Sequence, residues 1–187
     1  EPDQHRVIWK TQTGSDTTVL NSLYPFRKDK EYTVVLTGEQ ENNDLQLIFV
    51  IDNCPPSKSL AQVKFTNAIH DIPPINLSIQ YGPTLYSDLA FRTGGTCQFI
   101  PPDSYTFSIS EARSGNLLMK DTFELEEGTR YNFFAIKSQD SVGLELFSLP
   151  KSNVPKEVPK IFGVERSVLQ ILGAGLITSL LILVLGR

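Results

Sequence analysis

The residues of this chain that could do chemistry are few and scattered. His70 and Asp71 are the one acid–histidine neighbour pair, the combination a general base and its orienting carboxylate would need. Asp103 and Ser104 bring a carboxylate and a hydroxyl together in the stretch FIPPDSYTFSI. Cys54 and Cys97 supply two thiols, but neither has a neighbouring cation or histidine to lower its pKa into the nucleophilic range. Each set also has a plainer reading. His70-Asp71 lies between two predicted strands, where Asp71 can bond its own backbone ahead of Pro73-Pro74. Pro101 to Ser104 reads as a turn launching the strand at Tyr105, with Asp103 and Ser104 as turn-formers. The plainer readings are the expectation, so no catalytic residue is assigned.

Composition narrows the function further. A net charge of −4 over 187 residues disfavours nucleic acid, which rewards a basic face. The two histidines, His5 and His70, lie far apart and there is no Cys-x-x-Cys pair, so no metal residue is expected. No Gly-rich phosphate loop, nucleophile elbow or H-E-x-x-H helix occurs, so no cofactor-binding residue is expected either.

The elements that would hold these residues read as β. EYTVVLTG, DLQLIFVID, QVKFTNA, INLSIQY, SYTFSIS, DTFELEEG, RYNFFAIK and VGLELFSL are short runs rich in β-branched and aromatic residues. Gly, Pro, Asn and Asp punctuate them, as in a sandwich or barrel. The pattern repeats: Tyr131 lies 99 residues after Tyr32 (131 less 32), and Leu144 the same distance after Leu45. Extended without a gap, this offset lays Leu125 on Phe26, Phe123 on Tyr24, Met119 on Leu20 and Phe107 on Ile8. Apolar positions recur while surface residues drift, as in two copies sharing a core. The first copy lacks the part corresponding to AQVKFTNAIHDIPPINLSIQ. Upstream sequence, a cleaved precursor or a partner's strand would each complete it, the first two being preferred.

The last residues differ in kind. Val168 to Leu185 carries no charge, and at 1.5 Å per residue spans roughly 27 Å, close to a bilayer's hydrocarbon core. A single transmembrane α-helix over 164–187 is expected. Gly173, Ala174, Gly175 and Ser179 put small residues on one side of it, either a face on which another helix could pack closely or incidental small residues of a lone anchor. Pro150, Pro155 and Pro159 make the preceding stretch a stiff tether. The expected plan is a partial sandwich unit over 1–53, a linker over 54–60, a complete unit over 61–149, a tether over 150–163, and the helix.

The complete unit resembles a family of β-sandwich repeats in secreted and surface-attached bacterial proteins, catalogued as a domain of unknown function. It resembles more distantly the periplasmic alginate O-acetylation factor F. VKFTNAIHDIPPINLSI, LAF, PPDSYTFSI, LEEGTRYNFFAI and LELFSL carry the likeness. It departs from the family pattern at Ile69 and His70, where small residues are usual, and at Asp103, where Gly is usual. The resemblance implies an exported, immunoglobulin-like adhesive or structural module with no catalytic residues to carry over.

An exported chain with two cysteines can close one disulfide between Cys54 and Cys97, the latter in an expected Thr96–Phe99 strand; two independent buried thiols are the alternative. Asn76-Leu77-Ser78 matches a glycosylation sequon inside a predicted strand. Trp9, Tyr24 and Phe26 suit either a sugar-binding face or, preferably, the core of the first unit. Lys151, Lys156, Lys160 and Arg166 precede the apolar run and only Arg187 follows it, which by the positive-inside rule would keep the sandwich cytoplasmic. Export, implied by the resemblance, is preferred. The sequence therefore points to a non-enzymatic, single-pass membrane protein with a periplasmic or extracellular sandwich, acting as a structural subunit. Its expected partners are other membrane-protein subunits and the lipid bilayer, with polysaccharide binding or acetylation assistance as the alternative.

Overall fold

The computed structural model describes residues 3–11, 17–27, 30–38, 45–137, 144–151, 169–171 and 181–185. Every regular element among them is a strand. In chain order these are β1 (Asp3–Thr11), β2 (Thr17–Phe26), β3 (Tyr32–Thr37), β4 (Gln46–Ile51), β5 (Ala61–Asn67), β6 (Ile75–Ile79) and β7 (Thr84–Leu89). They continue as β8 (Gln98–Ile100), β9 (Asp103–Glu111), β10 (Leu117–Leu125), β11 (Arg130–Lys137), β12 (Leu144–Lys151), β13 (Leu169–Ile171) and β14 (Leu181–Leu185). The chain divides into two compact units, Glu1–Asn53 with Val158–Arg187, and Cys54–Glu157.

In the second unit two four-stranded sheets, β10-β9-β6-β7 and β12-β11-β5-β8, enclose one core. Strand alternation builds it. β5 turns Ala61, Val63 and Phe65 inward, and β11 turns Tyr131, Phe133 and Ala135. They meet Ile75 and Leu77 of β6 and Phe107 and Ile109 of β9. Burying each aromatic of this set removes enough apolar surface to contribute roughly 1.5–3 kcal/mol. The result is sandwich-like and antiparallel at every ladder but one. β5 and β11 pair in parallel, Tyr131 opposite Val63 and Phe133 opposite Phe65. An immunoglobulin-like sandwich is expected to be antiparallel throughout, and this ladder departs from that expectation. β5 reaches its neighbour only after the chain has crossed to the other sheet and back, a connection that allows parallel strands.

The boundaries differ from the expected ones in physical detail. β9 starts at Asp103, two residues before Tyr105, and Cys97 lies just ahead of β8 rather than within it. β12 runs through Pro150 and Lys151, two residues into the expected tether. It is an edge strand of its sheet, the place where a missing proline N–H is tolerated. The remaining tether residues, 152–163, lie outside the described residues.

The first unit is smaller. β1 and β2 form a two-stranded sheet, and β3 and β4 lie in a sheet of order β13-β14-β3-β4. Val34, Leu36 and Leu47 form its buried cluster, with Val7, Leu20, Leu45 and Phe49 partly buried against it. Its ladders repeat those of the second unit. Tyr32 pairs with Ile51 on β3–β4, and 99 residues later Tyr131 pairs with Pro150 on β11–β12. On β2, Val19 is skipped between Leu20 and Thr18; on β10, Leu118 is skipped between Met119 and Leu117. Those bulges are again 99 residues apart. β1 breaks the rule. Phe26 pairs with Asp3 whereas Leu125 pairs with Asp103, so β1 precedes β9 by 100 residues. The first unit has one extra residue in its β1–β2 turn, and the counterpart of Phe107 is Val7 rather than Ile8. Burial agrees, since Val7 packs on the core and Ile8 is 48% exposed.

Where a membrane helix was expected over 164–187, the structure describes only two short extended pieces, β13 and β14. The rest of that segment, with Gly173, Gly175 and Ser179, lies outside the described residues. Among the described residues no helix is long and apolar enough to cross a membrane.

Candidate functional site

The direction of each strand gathers the loops 68–74, 90–97 and 112–116 at one end of the second unit. Asn67, the last residue of β5, organises that end. It is fully buried, its Nδ2 donates to the Leu89 carbonyl at 3.0 Å, and its Oδ1 accepts from the Ile69 N–H at 3.0 Å. Its backbone N–H donates to Thr93, and its carbonyl accepts from Arg92. Four bonds from one residue thus tie two loops together. The Ala112 N–H reaches the Pro74 carbonyl at 2.8 Å and joins the third.

His70 and Asp71 sit on the first of these loops. The Asp71 carboxylate takes the imidazole Nδ1 at 2.7 Å, and the His70 ring stands edge-on to Phe91 at 5.1 Å between centroids. Asp71 adopts φ 60, a left-handed conformation that Asp tolerates better than most residues. Its carboxylate faces His70 rather than its own backbone, which corrects the backbone bond expected for it, while the residue does lie in the loop between β5 and β6. Asp71 is 82% exposed, and no nucleophile is among its partners. Among the described residues no three His, Cys, Asp or Glu side chains cluster as metal ligands would. The pair anchors a loop.

Cys54 and Cys97 are joined in a disulfide, their Cα atoms 5.6 Å apart and 43 residues apart in sequence. It fastens the segment leading into β5 to the residue before β8, the strand that pairs with β5 from Ala61 opposite Ile100. Within that segment the Leu60 N–H donates to Ser57 Oγ, and Gln62 Nε2 donates to the Leu60 carbonyl. Both cysteines belong to the second unit. The bridge is internal to it.

The remaining sequence candidates are structural at close range. Asp103 Oδ1 accepts the Ser104 N–H, and the Tyr105 hydroxyl donates to the Pro101 carbonyl at 3.0 Å, closing the turn into β9. Burial, and secondarily the Asp103 charge, raise the Tyr105 pKa. Asn76 lies on β6, and its Oδ1 accepts the N–H of Asp88, a residue with φ 55 where β7 leaves regular pairing. Tyr24 stacks on Phe49 at 3.7 Å, and Phe26 stands edge-on to Tyr32 at 5.0 Å. Burial first, and then the neighbouring Tyr32, raise the Tyr24 pKa. Tyr24 lies nearly parallel to Phe49, whereas Phe26 meets Tyr24, Tyr32 and Phe49 at 61°, 84° and 73°. Trp9 is on β1, and its side chain lies outside the described residues.

Two tyrosine roles escaped the sequence reading. The Tyr131 hydroxyl accepts the Glu126 N–H at 2.9 Å and donates to the Glu124 carbonyl at 3.4 Å, bracing the turn that Gly128 makes at φ 67. The Tyr32 hydroxyl accepts the Arg27 N–H at 2.9 Å. Both bonds span five residues, and both donor and acceptor are 99 apart between units. The Tyr86 hydroxyl of β7 donates to the Val63 carbonyl of β5 at 2.6 Å, stitching one sheet to the other. Burial pushes its pKa far above the ordinary phenol value, with the Gln98 backbone opposing. A Cβ on Gly95 would run into the Tyr86 ring, so only glycine fits there.

A family model described as a domain of unknown function, DUF4397, matches residues 61–167. The chain belongs to this family. No curated protein matches the chain. The DUF4397 match opens on Ala61, the first residue of β5, and takes in both sheets of the second unit. Asn67, Tyr86, Gly95, Cys97 and Tyr131 all fall within DUF4397, while Cys54 precedes it.

Proposed function

We propose that this DUF4397 protein is a non-enzymatic accessory subunit held at a membrane, with immunoglobulin-like units that bind partner proteins outside the cytoplasm. The observation that carries the reading is the uncharged run from Val168 to Leu185, long enough to cross a bilayer, following a disulfide-stapled sandwich. The Cys54–Cys97 bridge supports an oxidising compartment, periplasmic or extracellular, against the lysines that flank the run. The Tyr131 hydroxyl bonding back across its turn supports an immunoglobulin-like plan, whose tyrosine corner has this arrangement. The loop end tied by Asn67 is the natural contact surface, since loops on a rigid sandwich commonly carry binding. In the bilayer the run forms a helix that satisfies its own backbone, and Gly173, Gly175 and Ser179 offer a packing face to another subunit's helix. At Leu181–Leu185 the same residues meet an open sheet edge instead, so the two arrangements compete for one segment.

Vesicle flotation of the full chain, followed by alkaline carbonate extraction, tests the anchor. Retention in the vesicles with new helical circular dichroism is expected; a chain that stays in the aqueous fraction with strand signal alone would sink the reading. Purification in mild detergent tests the subunit role, and recovery only as a free monomer counts against it.

A carbohydrate-linked role is the second reading, as an accessory to glycan binding or polysaccharide acetylation. It is favoured by hydroxyl pairs on β6, β7, β9 and β10, Thr106 with Thr122 at 2.8 Å and Ser78 with Thr84 at 2.9 Å. Ser108, opposite Ser78 on β9, extends the row. A polysaccharide array without signal would remove it.

A further inference from the structure

The hairpin between β6 and β7 carries a residue that neither the core nor the Asn67 loop end explains. Its tip is closed by the Gly82 N–H on the Ile79 carbonyl at 2.9 Å and by the Ile79 N–H on the Pro83 carbonyl at 3.0 Å. Tyr81 therefore takes the second central position of a tight turn, and it does so at φ 61. A left-handed residue there is ordinarily Gly or Asn, because a Cβ crowds the carbonyl that follows. The glycine stands one place later, where a Cβ on Gly82 would meet the Ile79 side chain at 3.0 Å. The tyrosine gains no burial in return, since it is 100% exposed. A bulky aromatic held in left-handed backbone and wholly in water points to something outside the chain.

The sheet face behind the tip has a matching chemistry. Ser78 and Thr84, three residues to either side of Tyr81, pair across the hairpin through their hydroxyls at 2.9 Å. Ser108 lies opposite Ser78 on β9 and donates to its carbonyl at 3.4 Å. Thr106, two residues before it, pairs with Thr122 of β10 at 2.8 Å. A hydroxyl pair spends one O–H and keeps the other, with lone pairs to spare, so this row both donates and accepts as sugar hydroxyls do. Opposite Ser104, Thr106, Ser108 and Ser110, β10 places Glu124, Thr122, Lys120 and Leu117. Those two charges cancel, and the nearby Asp88, bonded to Asn76, adds a negative one. We propose that Tyr81 and this hydroxyl row form a binding site for a neutral polysaccharide. The tyrosine ring takes the C–H face of one sugar, and Ser78, Thr84, Thr106 and Thr122 take the hydroxyls of the sugars beyond it. Tyrosine suits the first role because it offers a large, rigid, amphipathic surface with little entropy to lose. A uronate or sulfated chain would call for clustered Arg or Lys, and Lys120 stands opposite an equal number of acids or more. The inference rests on the carbohydrate-linked reading, to which it gives a site and a ligand class, and it is independent of the membrane anchor.

Titration calorimetry of the full chain, in a detergent without a sugar headgroup, tests the site. The probes are neutral oligosaccharides of β-glucan, mannan, xylan and galactan, with an oligogalacturonate as the charged control. Binding to at least one neutral series is expected, and none to the uronate. Tyr81→Gly should weaken that binding by roughly tenfold or more, as truncating a central aromatic commonly does. Its urea midpoint should hold or rise, because glycine adopts the left-handed φ freely, whereas a merely structural tyrosine would lower it. Tyr81→Phe should bind like the unchanged chain, and Thr84→Val should weaken binding by about threefold to tenfold through its lost hydroxyl. Full binding retained by Tyr81→Gly, or uronate binding that equals or exceeds the neutral kind, overturns the site and leaves the carbohydrate reading standing. Silence from every probe removes that reading, and the site with it.

Discussion

The hydroxyls of Tyr32 and Tyr131 make one predictable contribution each. Tyr131→Phe removes the acceptor of the Glu126 N–H and the donor to Glu124 while keeping the ring in the core. A hydrogen bond of this sort contributes about 0.5–1.5 kcal/mol, so urea denaturation should show a loss near that size with an unchanged slope. Tyr32→Phe should cost about the same through Arg27. Tyr86 makes a pH prediction. Its folded pKa is raised above 10.0, chiefly by burial. Its contribution is therefore fully present below pH 10 and declines as pH rises further, because the unfolded phenol releases a proton that the folded one retains. The urea midpoint should hold steady from pH 8 to 9.5 and fall beyond 10, and Tyr86→Phe should flatten that alkaline limb. An unchanged limb in the variant would assign the fall to other groups. The sequence displayed Tyr32 and Tyr131 through their shared offset, yet not their bonds, since a hydroxyl's partner depends on how the chain turns back. In the sequence Asn67 only closes the strand run QVKFTNA. Three of its four hydrogen bonds reach Leu89, Arg92 and Thr93, which no local pattern connects to it.

Strands were legible where one face is buried and the other is not. β9 alternates Phe107 and Ile109 with Ser108 and Ser110, and β11 places Tyr131 and Phe133 on the core face. β7 was missed because only Tyr86 on it is buried and its φ values break at Asp88. β1 reads as polar, and β2 contains Pro25, which is tolerated because its sheet has only two strands. The gapless offset misplaced β1 by one residue, since a turn insertion leaves no trace in apolar spacing alone. The element with the largest separable effect is the segment held by the disulfide. A loop closed across 43 residues restricts the unfolded chain by about 4 kcal/mol in the chain-entropy account. Cys54→Ser with Cys97→Ser should lower the second unit's stability by roughly 2–4 kcal/mol, read as a shift in denaturant midpoint. Gly95→Ala acts on the same loop by another route. Its new methyl collides with the Tyr86 ring, and a loss of about 1–3 kcal/mol is expected from overpacking. Adding Tyr86→Phe should not relieve it, because the ring remains.

At the scale of the molecule, the two units differ in how much core each has to lose. The second encloses Phe65, Phe107 and Phe133 between two four-stranded sheets and is stapled internally. The first gathers Val34, Leu36 and Leu47, with Phe49 and Val7 only partly buried. Buried apolar area is the main favourable contribution to folding, and a chain of two compact units need not unfold in one step. Two transitions are therefore expected in denaturant, the lower belonging to the first unit. Hydrogen exchange assigns them: Tyr32–Thr37 should lose protection before Ala61–Asn67 and Arg130–Lys137. Reduction of the disulfide is the decisive comparison, because both cysteines lie in Cys54–Glu157. Reductant should lower the upper transition and leave the lower one where it was. A single transition that reductant moves as a whole would mean that the units fold as one body, and that the repeat is a memory in the sequence rather than a division of stability.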